Sequence, residues 1–352
     1  MNKIDRRSFL QKSVLFSAAA VTVIRDNPLF ANTIETMPVS VPSPAGNAEI
    51  KVGSVSWNFH SLSAGESPVS AIEILGEMGF DGIELIVSAS RDLTNLWTDS
   101  FINQVRLLLD KYKMTVPQMA MFQPVVQDLS SLEYDRRMRA LDNFEAGVVI
   151  AKKLGSKIVN IVAPWARELR DPNNGYLPRY YEIMNPKEGE KYVIIMEPSF
   201  DWDKVWEQYV TTTKDCLERV KKHDMLFTIE HHTNCIIPDA SSFLLLCQSI
   251  PDKALGYNMD VGWTQVQREY PPVAINKVKD RLYNLHIRDI DGAIRQFIHI
   301  GEGVMDFTGI IRELKKIGYK GYISLEQDGH PGDMKTTCRR YLALMRKLIA
   351  EA

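Results

Sequence analysis

From residue 51 onward the chain alternates between two hydrophobic periods. Short apolar and β-branched runs bounded by Gly, Pro, Asp and Asn carry the signature of buried strands. They cover 51–57, 82–86, 116–121, 157–162, 226–230, 255–259, 282–287 and 321–325. Between them, apolar residues recur at helical spacing over 69–78, 101–112, 136–154, 205–223, 243–249, 307–317 and 336–349. Several of these helices run into a Gly turn before the next strand, as in Met78-Gly79-Phe80-Asp81-Gly82 and Ile317-Gly318-Tyr319-Lys320-Gly321, where Gly supplies the left-handed cap. Strands alternating with helices predict a parallel sheet with crossover helices. Eight such units over 48–352 predict an α/β fold, the (β/α)8 TIM barrel. The competing doubly wound sheet calls for a Gly-rich loop after its first strand, and Trp57-Asn58-Phe59-His60 is not one.

One connection breaks the rhythm. Residues 163–201 show no clear period and are rich in Pro, Tyr and charge, including Trp165, Arg167, Arg170 and Arg179. A loop this long in a compact domain predicts a lid over the barrel mouth.

In a barrel the reacting groups sit where strands end and βα loops begin. The last four strands end in Glu230, Asp260, His286 and Glu326, at one height around the mouth. Carboxylates crowded there repel by about 4 kcal/mol per pair at ~4 Å and intermediate dielectric, unless some are protonated or a cation sits among them. Taken singly, each acid also reads as a helix cap or an ion-pair partner. Four in register favour a metal. Three oxygen donors with one imidazole suit Mn²⁺, Mg²⁺ or Co²⁺, with Zn²⁺ as a further choice.

These residues, with Gly82-Ile83-Glu84-Leu85, His286-Ile287-Arg288-Asp289 and Gly301-Glu302-Gly303-Val304-Met305-Asp306-Phe307, give the chain from about residue 51 a resemblance. It resembles the xylose isomerase-like barrel superfamily of sugar isomerases and epimerases, related to the type-IV AP endonucleases. The resemblance implies one divalent metal, manganese first, held by Glu230, Asp260, His286 and Glu326. It also implies that Glu230 and Glu326 exchange protons with substrate. Two positions depart from the family pattern. Trp263 stands where a substrate-touching His is frequent, and Arg288 where Lys is frequent; Arg brings a planar fork but is a poor proton shuttle.

The implied chemistry is proton abstraction beside the carbonyl of a hydroxy-ketone, giving an enediolate. Return of the proton gives epimerisation or isomerisation; loss of a β-leaving group makes the protein a lyase or dehydratase, acting on a keto-sugar or 3-keto-glycoside. Candidate substrate contacts are His60, Glu84, His232, Trp263, Arg288, His299 and Trp165. His232 also reads as a partner that orients a ligand, and His299 as a second-site ligand. Glu84 reads equally as a brace for another side chain, and Trp57, Trp165 and Trp263 as core aromatics or as sugar-stacking surfaces.

Composition narrows the partners. With 42 basic and 44 acidic residues the net charge is −2, which offers no broad magnet for nucleic acid. A nuclease would also need more histidine ligands than these motifs provide. A non-catalytic carbohydrate-binding barrel is the alternative of another class, and a homo-oligomer is admitted. Cys216, Cys235, Cys247 and Cys338 form no C-x-x-C pair and read as buried free thiols, with two disulfides as the alternative. Residues 1–47 read as a twin-arginine-type signal and linker. Asp5-Arg6-Arg7-Ser8-Phe9-Leu10 precedes an apolar run over 14–24. That run is shorter than the roughly 20 residues of a membrane span. An exported, periplasmic enzyme with no membrane attachment after signal removal, acting on a phosphate-free carbohydrate, is the expectation.

Overall fold

Parallel strands separated by helices close into a barrel, seen in a computed structural model that describes residues 50–171, 175–176, 194–233, 235–292, 298–327 and 332–352. Residues 1–47, read as signal and linker, lie outside the described residues, as does Arg179. In chain order the strands are β1 (Lys51–Val55), β2 (Gly82–Val87), β3 (Met119–Met121), β4 (Ile158–Val162), β5 (Leu169–Asp171), β6 (Gly175–Tyr176), β7 (Ile195–Met196), β8 (Leu226–Glu230), β9 (Leu255–Asp260), β10 (Leu282–Ile287) and β11 (Tyr322–Leu325). The closed order is β1-β11-β10-β9-β8-β4-β3-β2, the (β/α)8 TIM barrel that the alternation predicts.

The helices packed around it include α1 (Val69–Met78), α2 (Asp99–Tyr112), α3 (Tyr134–Lys153), α4 (Trp202–Lys221), α5 (Ala240–Ser249), α6 (Val261–Val266), α7 (Pro271–Val278), α8 (Phe307–Lys316) and α9 (Met334–Glu351). Their apolar faces meet the outward residues of the strands, such as Phe227, Ile229, Tyr257, Met259, Leu285, Ile287, Ile323 and Leu325. In α8, Phe307, Ile310, Ile311 and Leu314 fall on one face and are buried. A helix this short is marginal alone. Each such side chain adds about 1.5–3 kcal/mol when buried, which is what holds it. Gly79 closes α1 at φ 84°, the left-handed position anticipated there.

The differences from the sequence reading have local causes. The third strand, expected over 116–121, begins only at Met119; Pro117 has no N–H to give the ladder, and an isolated bridge joins Thr115 to Gly82. The sixth strand extends to Asp260, which is also the N-cap of α6. Neither α6 nor α7 stands out by periodicity: the first is six residues long, and the second opens on Pro271 and Pro272, which suit a helix start and look like a breaker. Within 163–201 the described residues hold a three-stranded antiparallel sheet, ordered β6-β5-β7.

Inside the barrel the packing differs from the helix-facing layer. Val55, Trp57, Ile86 and Ala120, from the β1–β3 side, form an apolar cluster separate from the main core, with Leu62 and Phe122 against it. The β8–β11 side is polar.

Candidate metal centre

β8, β9, β10 and β11 are consecutive around the barrel and in matched register, with His286 beside both Asp260 and Ser324. Glu230, Asp260 and His286 occupy the last two positions of their strands, and Glu326 immediately follows β11. All four are buried, and each offers a donor atom so that the set lies within 4.8 Å of one another. The convergence expected of these four residues is therefore present.

Beneath them lies a layer that sequence reasoning did not anticipate. Thr228, Asn258 and Asn284 sit two residues before Glu230, Asp260 and His286, and Gln118 and Asn160 come from the β3 and β4 side. All are buried. Asn160 and Asn258 donate to Glu230 Oε2 at 3.1 and 2.9 Å. Gln118 donates to Glu84 Oε2 at 2.8 Å, and Asn284 donates to Glu84 Oε1 at 2.9 Å and to Asn258 Oδ1 at 3.0 Å. Thr228 Oγ1 lies 3.1 Å from Gln118 Oε1 and 3.0 Å from Asn160 Oδ1. These hydrogen bonds brace Glu84 and Glu230, although Asn284 Oδ1 is buried without a hydrogen-bond partner. The period-two spacing of a polar residue before each strand-end ligand is the signal that could have revealed this layer.

Glu84 belongs to this floor. Its Oε2 lies 2.9 Å from His286 Nε2. A carboxylate accepts only, so that nitrogen carries the proton, and Nδ1 faces Glu230 Oε1 at 3.3 Å and Glu326 Oε2 at 2.7 Å. Burial opposes the imidazolium, yet Glu230, Glu84 and Glu326 together hold the His286 pKa well above its ordinary value. A cation at this point competes with that proton for Nδ1.

Glu326 Oε1 accepts from Trp57 Nε1 at 2.8 Å. Its Oε2 lies 2.7 Å from both His286 Nδ1 and Arg288 Nη2, at angles that make no hydrogen bond. Burial alone would raise this carboxyl; Arg288 and His286 outweigh it and hold Glu326 well below the usual range. Asp260 is pushed up to about 6, by burial first, with Arg288 pulling against it and Glu326 and Glu230 adding to it. Its Oδ1 caps α6 through the N–H groups of Gly262 and Trp263 at 2.7 and 3.0 Å, and Oδ2 accepts from Arg288 Nε at 2.6 Å. Asp260 is thus a helix cap and an ion-pair partner as well as a member of the quartet. A buried, acid-rich set with one imidazole nitrogen facing inward fits a hard or borderline divalent cation.

The profile of the Xylose isomerase-like TIM barrel family matches residues 72–348. The chain belongs to that family. It is 23% identical to fructoselysine 3-epimerase of Shigella flexneri over 71% of this chain and 81% of that protein. It is also 23% identical to inosose dehydratase of Lacticaseibacillus casei, over 40% of this chain and 53% of the relative. The crystal structure of the 3-keto-D-glucoside 4-epimerase YcjR from E. coli superposes with a TM-score of 0.63 at 16% identity, covering 85% of this chain and all of that one (100%). At such identities the likeness speaks for the fold.

Within this xylose isomerase-like barrel the remaining candidate residues take distinct places. His232 and Trp263 are buried with ring centroids 4.0 Å apart, and the Arg288 guanidinium lies 5.6 Å from the Trp263 ring. Trp263, at the position where the family frequently has His, is therefore a wall behind Arg288. His60 is half-buried, turns Nδ1 to the Ser61 carbonyl at 2.9 Å, and buries Nε2 without a hydrogen-bond partner. His299 Nδ1 meets Thr337 Oγ1 of α9. Trp165 is half-buried, and its carbonyl accepts from Ser130 Oγ at 2.7 Å. In the same connection Arg167 pairs with Asp128 at 3.2 Å, and Arg170 pairs with Glu197.

Proposed function

We propose that this protein is a metal-dependent sugar isomerase or epimerase that acts through an enediolate on a non-phosphorylated sugar or ketosugar. The convergence of Glu230, Asp260, His286 and Glu326 carries the reading. A divalent cation held by these four, manganese first, would polarise the oxygens of a hydroxy-ketone and acidify the neighbouring C–H.

Glu230 and Glu326 then have separate tasks. They rise from positions three strands apart around the mouth, so a sugar between them meets a carboxylate on each side. Glu326, kept ionised by Arg288 and His286, accepts the proton; its Trp57 hydrogen bond fixes Oε1, and Oε2 stands 2.7 Å from His286 Nδ1 and Arg288 Nη2. Glu230, clamped at Oε2 by Asn160 and Asn258, faces the centre with Oε1 and, in its protonated form, delivers a proton to the enediolate; proton exchange with solvent then restores Glu230 and Glu326. The apolar wall of Val55, Ile86 and Ala120 suits the C–H face of a sugar and excludes water. Pairing of Arg167 and Arg170 with acids supports a substrate without phosphate. Candidate contacts are His60, whose Nε2 is buried and unpaired, together with His232, His299 and Trp165.

A second reading is elimination from a keto-sugar or 3-keto-glycoside. The same base and the same enediolate serve it, and the likeness to a dehydratase favours keeping it. Export to the periplasm is part of the proposal and rests on Asp5-Arg6-Arg7-Ser8-Phe9-Leu10.

NMR in D₂O with a panel of free ketoses and 3-keto-glycosides tests this. Deuterium entering the C–H beside a carbonyl is expected, with new resonances telling inversion from elimination. Binding of a sugar with no exchange at any carbon would instead favour the non-catalytic carbohydrate-binding barrel.

A further inference from the structure

Arg288 stands inside the quartet rather than beside it. Its Nε lies 2.6 Å from Asp260 Oδ2 and its Nη2 lies 2.7 Å from Glu326 Oε2, so one guanidinium spans two of the four donor groups. It is 2% exposed, and Trp263 lies across its face. The α6 backbone presses on its stem: a Cβ at Gly262 would come within 3.0 Å of Arg288 Cβ and 3.1 Å of Cδ. The cation is therefore fixed, and a guanidinium cannot shed its proton in a protein.

Glu230, Asp260 and Glu326 bring three negative charges, and Arg288 brings one positive charge. Within this set the difference is −2 when His286 is neutral, as a metal on Nδ1 requires. Glu84 adds a further carboxylate beneath the set, hydrogen-bonded by Gln118, Asn284 and His286. Nor is Arg288 needed to aim its partners. Asp260 is already held by two backbone N–H groups, and Glu326 by Trp57. Arg288 also keeps its charge a few ångströms from where a cation would sit, in a poorly screened interior.

We infer that Arg288 limits, through its charge, how tightly the centre binds its dication, trading affinity for exchange. The inference rests on the proposed metal-dependent reading.

The test is Mn²⁺ titration of chelator-treated protein, with free Mn²⁺ read by EPR, on wild type and on Arg288→Gln, Arg288→Met and Arg288→Lys. Neutral variants should bind Mn²⁺ about tenfold or more tightly, and Arg288→Lys should stay within about threefold of wild type. Thermal unfolding adds a readout that a merely structural role would not give. Arg288→Gln should lower the Tm of metal-free protein while the Mn²⁺-loaded Tm stays at the wild-type value. Equal or weaker Mn²⁺ binding by the neutral variants, or an equal loss of Tm with and without Mn²⁺, overturns the inference. Should Arg288→Met not fold, Arg288→Gln, which keeps an N–H donor, carries the comparison. Wild type that binds no Mn²⁺ at all would instead sink the proposed function.

Discussion

Glu84 shows how much a residue's role depends on what stands across the barrel from it. In the sequence it reads as a substrate contact or a brace; in the structure both its oxygens are engaged, and it sets which nitrogen of His286 faces the centre. Glu84→Gln should therefore weaken Mn²⁺ binding by about 10–100-fold, the usual cost of losing a partner that orients a metal-binding histidine. Calorimetric titration checks this, and unchanged affinity would mean that Glu84 has no hold on the metal. The thiols are a separate test at this scale. All four cysteines are thiols rather than disulfides, and Cys216, Cys235 and Cys338 are buried. Burial raises the Cys216 thiol and pushes Cys338 up to about 12. Because the thiolate is the reactive form, a thiol-reactive dye should label the native protein slowly and all four sites after unfolding without reductant. Fewer than four labelled sites in the unfolded, unreduced chain would restore the disulfide alternative.

Among the described residues after β10, one side chain gathers backbone from both sides of the loop. Asp289 accepts backbone N–H groups from Ile290, Gly301, Gly303 and Met305 at 3.0, 2.8, 3.0 and 3.2 Å. Gly303 is required by close approach, since a Cβ there would lie 2.1 Å from Asp289 Oδ1 and 2.3 Å from the Ile290 carbonyl oxygen. Gly303→Ala should cost about 1–3 kcal/mol of stability, read by urea unfolding. A midpoint equal to wild type would show that the loop has room to shift. The motif Gly301-Glu302-Gly303 was visible in the sequence; its anchor was not, because Asp289 looks like any polar residue that follows a strand. Long strands and amphipathic helices were legible because their periods reflect which side meets the core. The six-residue helix α6 and the strands β5 to β7 were not, because each is too short for a period to develop, and α7 was not because its two leading prolines look like a breaker.

For the whole molecule, the mouth of the barrel is divided: polar where β8 to β11 end, apolar where β1 to β3 end, above a polar floor that includes Glu84 and Gln118. The polar half could be read from the sequence because ligand types recur at equivalent strand ends. Its supporting layer needed the closed order of strands, since Glu84 and Asn284 are 200 residues apart in the chain and touch only across the barrel. Arg288 was legible as a departure from the family pattern but not as an ion-pair partner, because its direction depends on the packing of Gly262 and Trp263. The most direct test of the central claim is metal analysis of protein purified after incubation with Mn²⁺ and gel filtration, alongside Glu326→Gln. One Mn per wild-type chain, and markedly less in the variant at equal folding, is the expected result. Metal-free wild type, or full occupancy that survives the Glu326→Gln substitution, would contradict it.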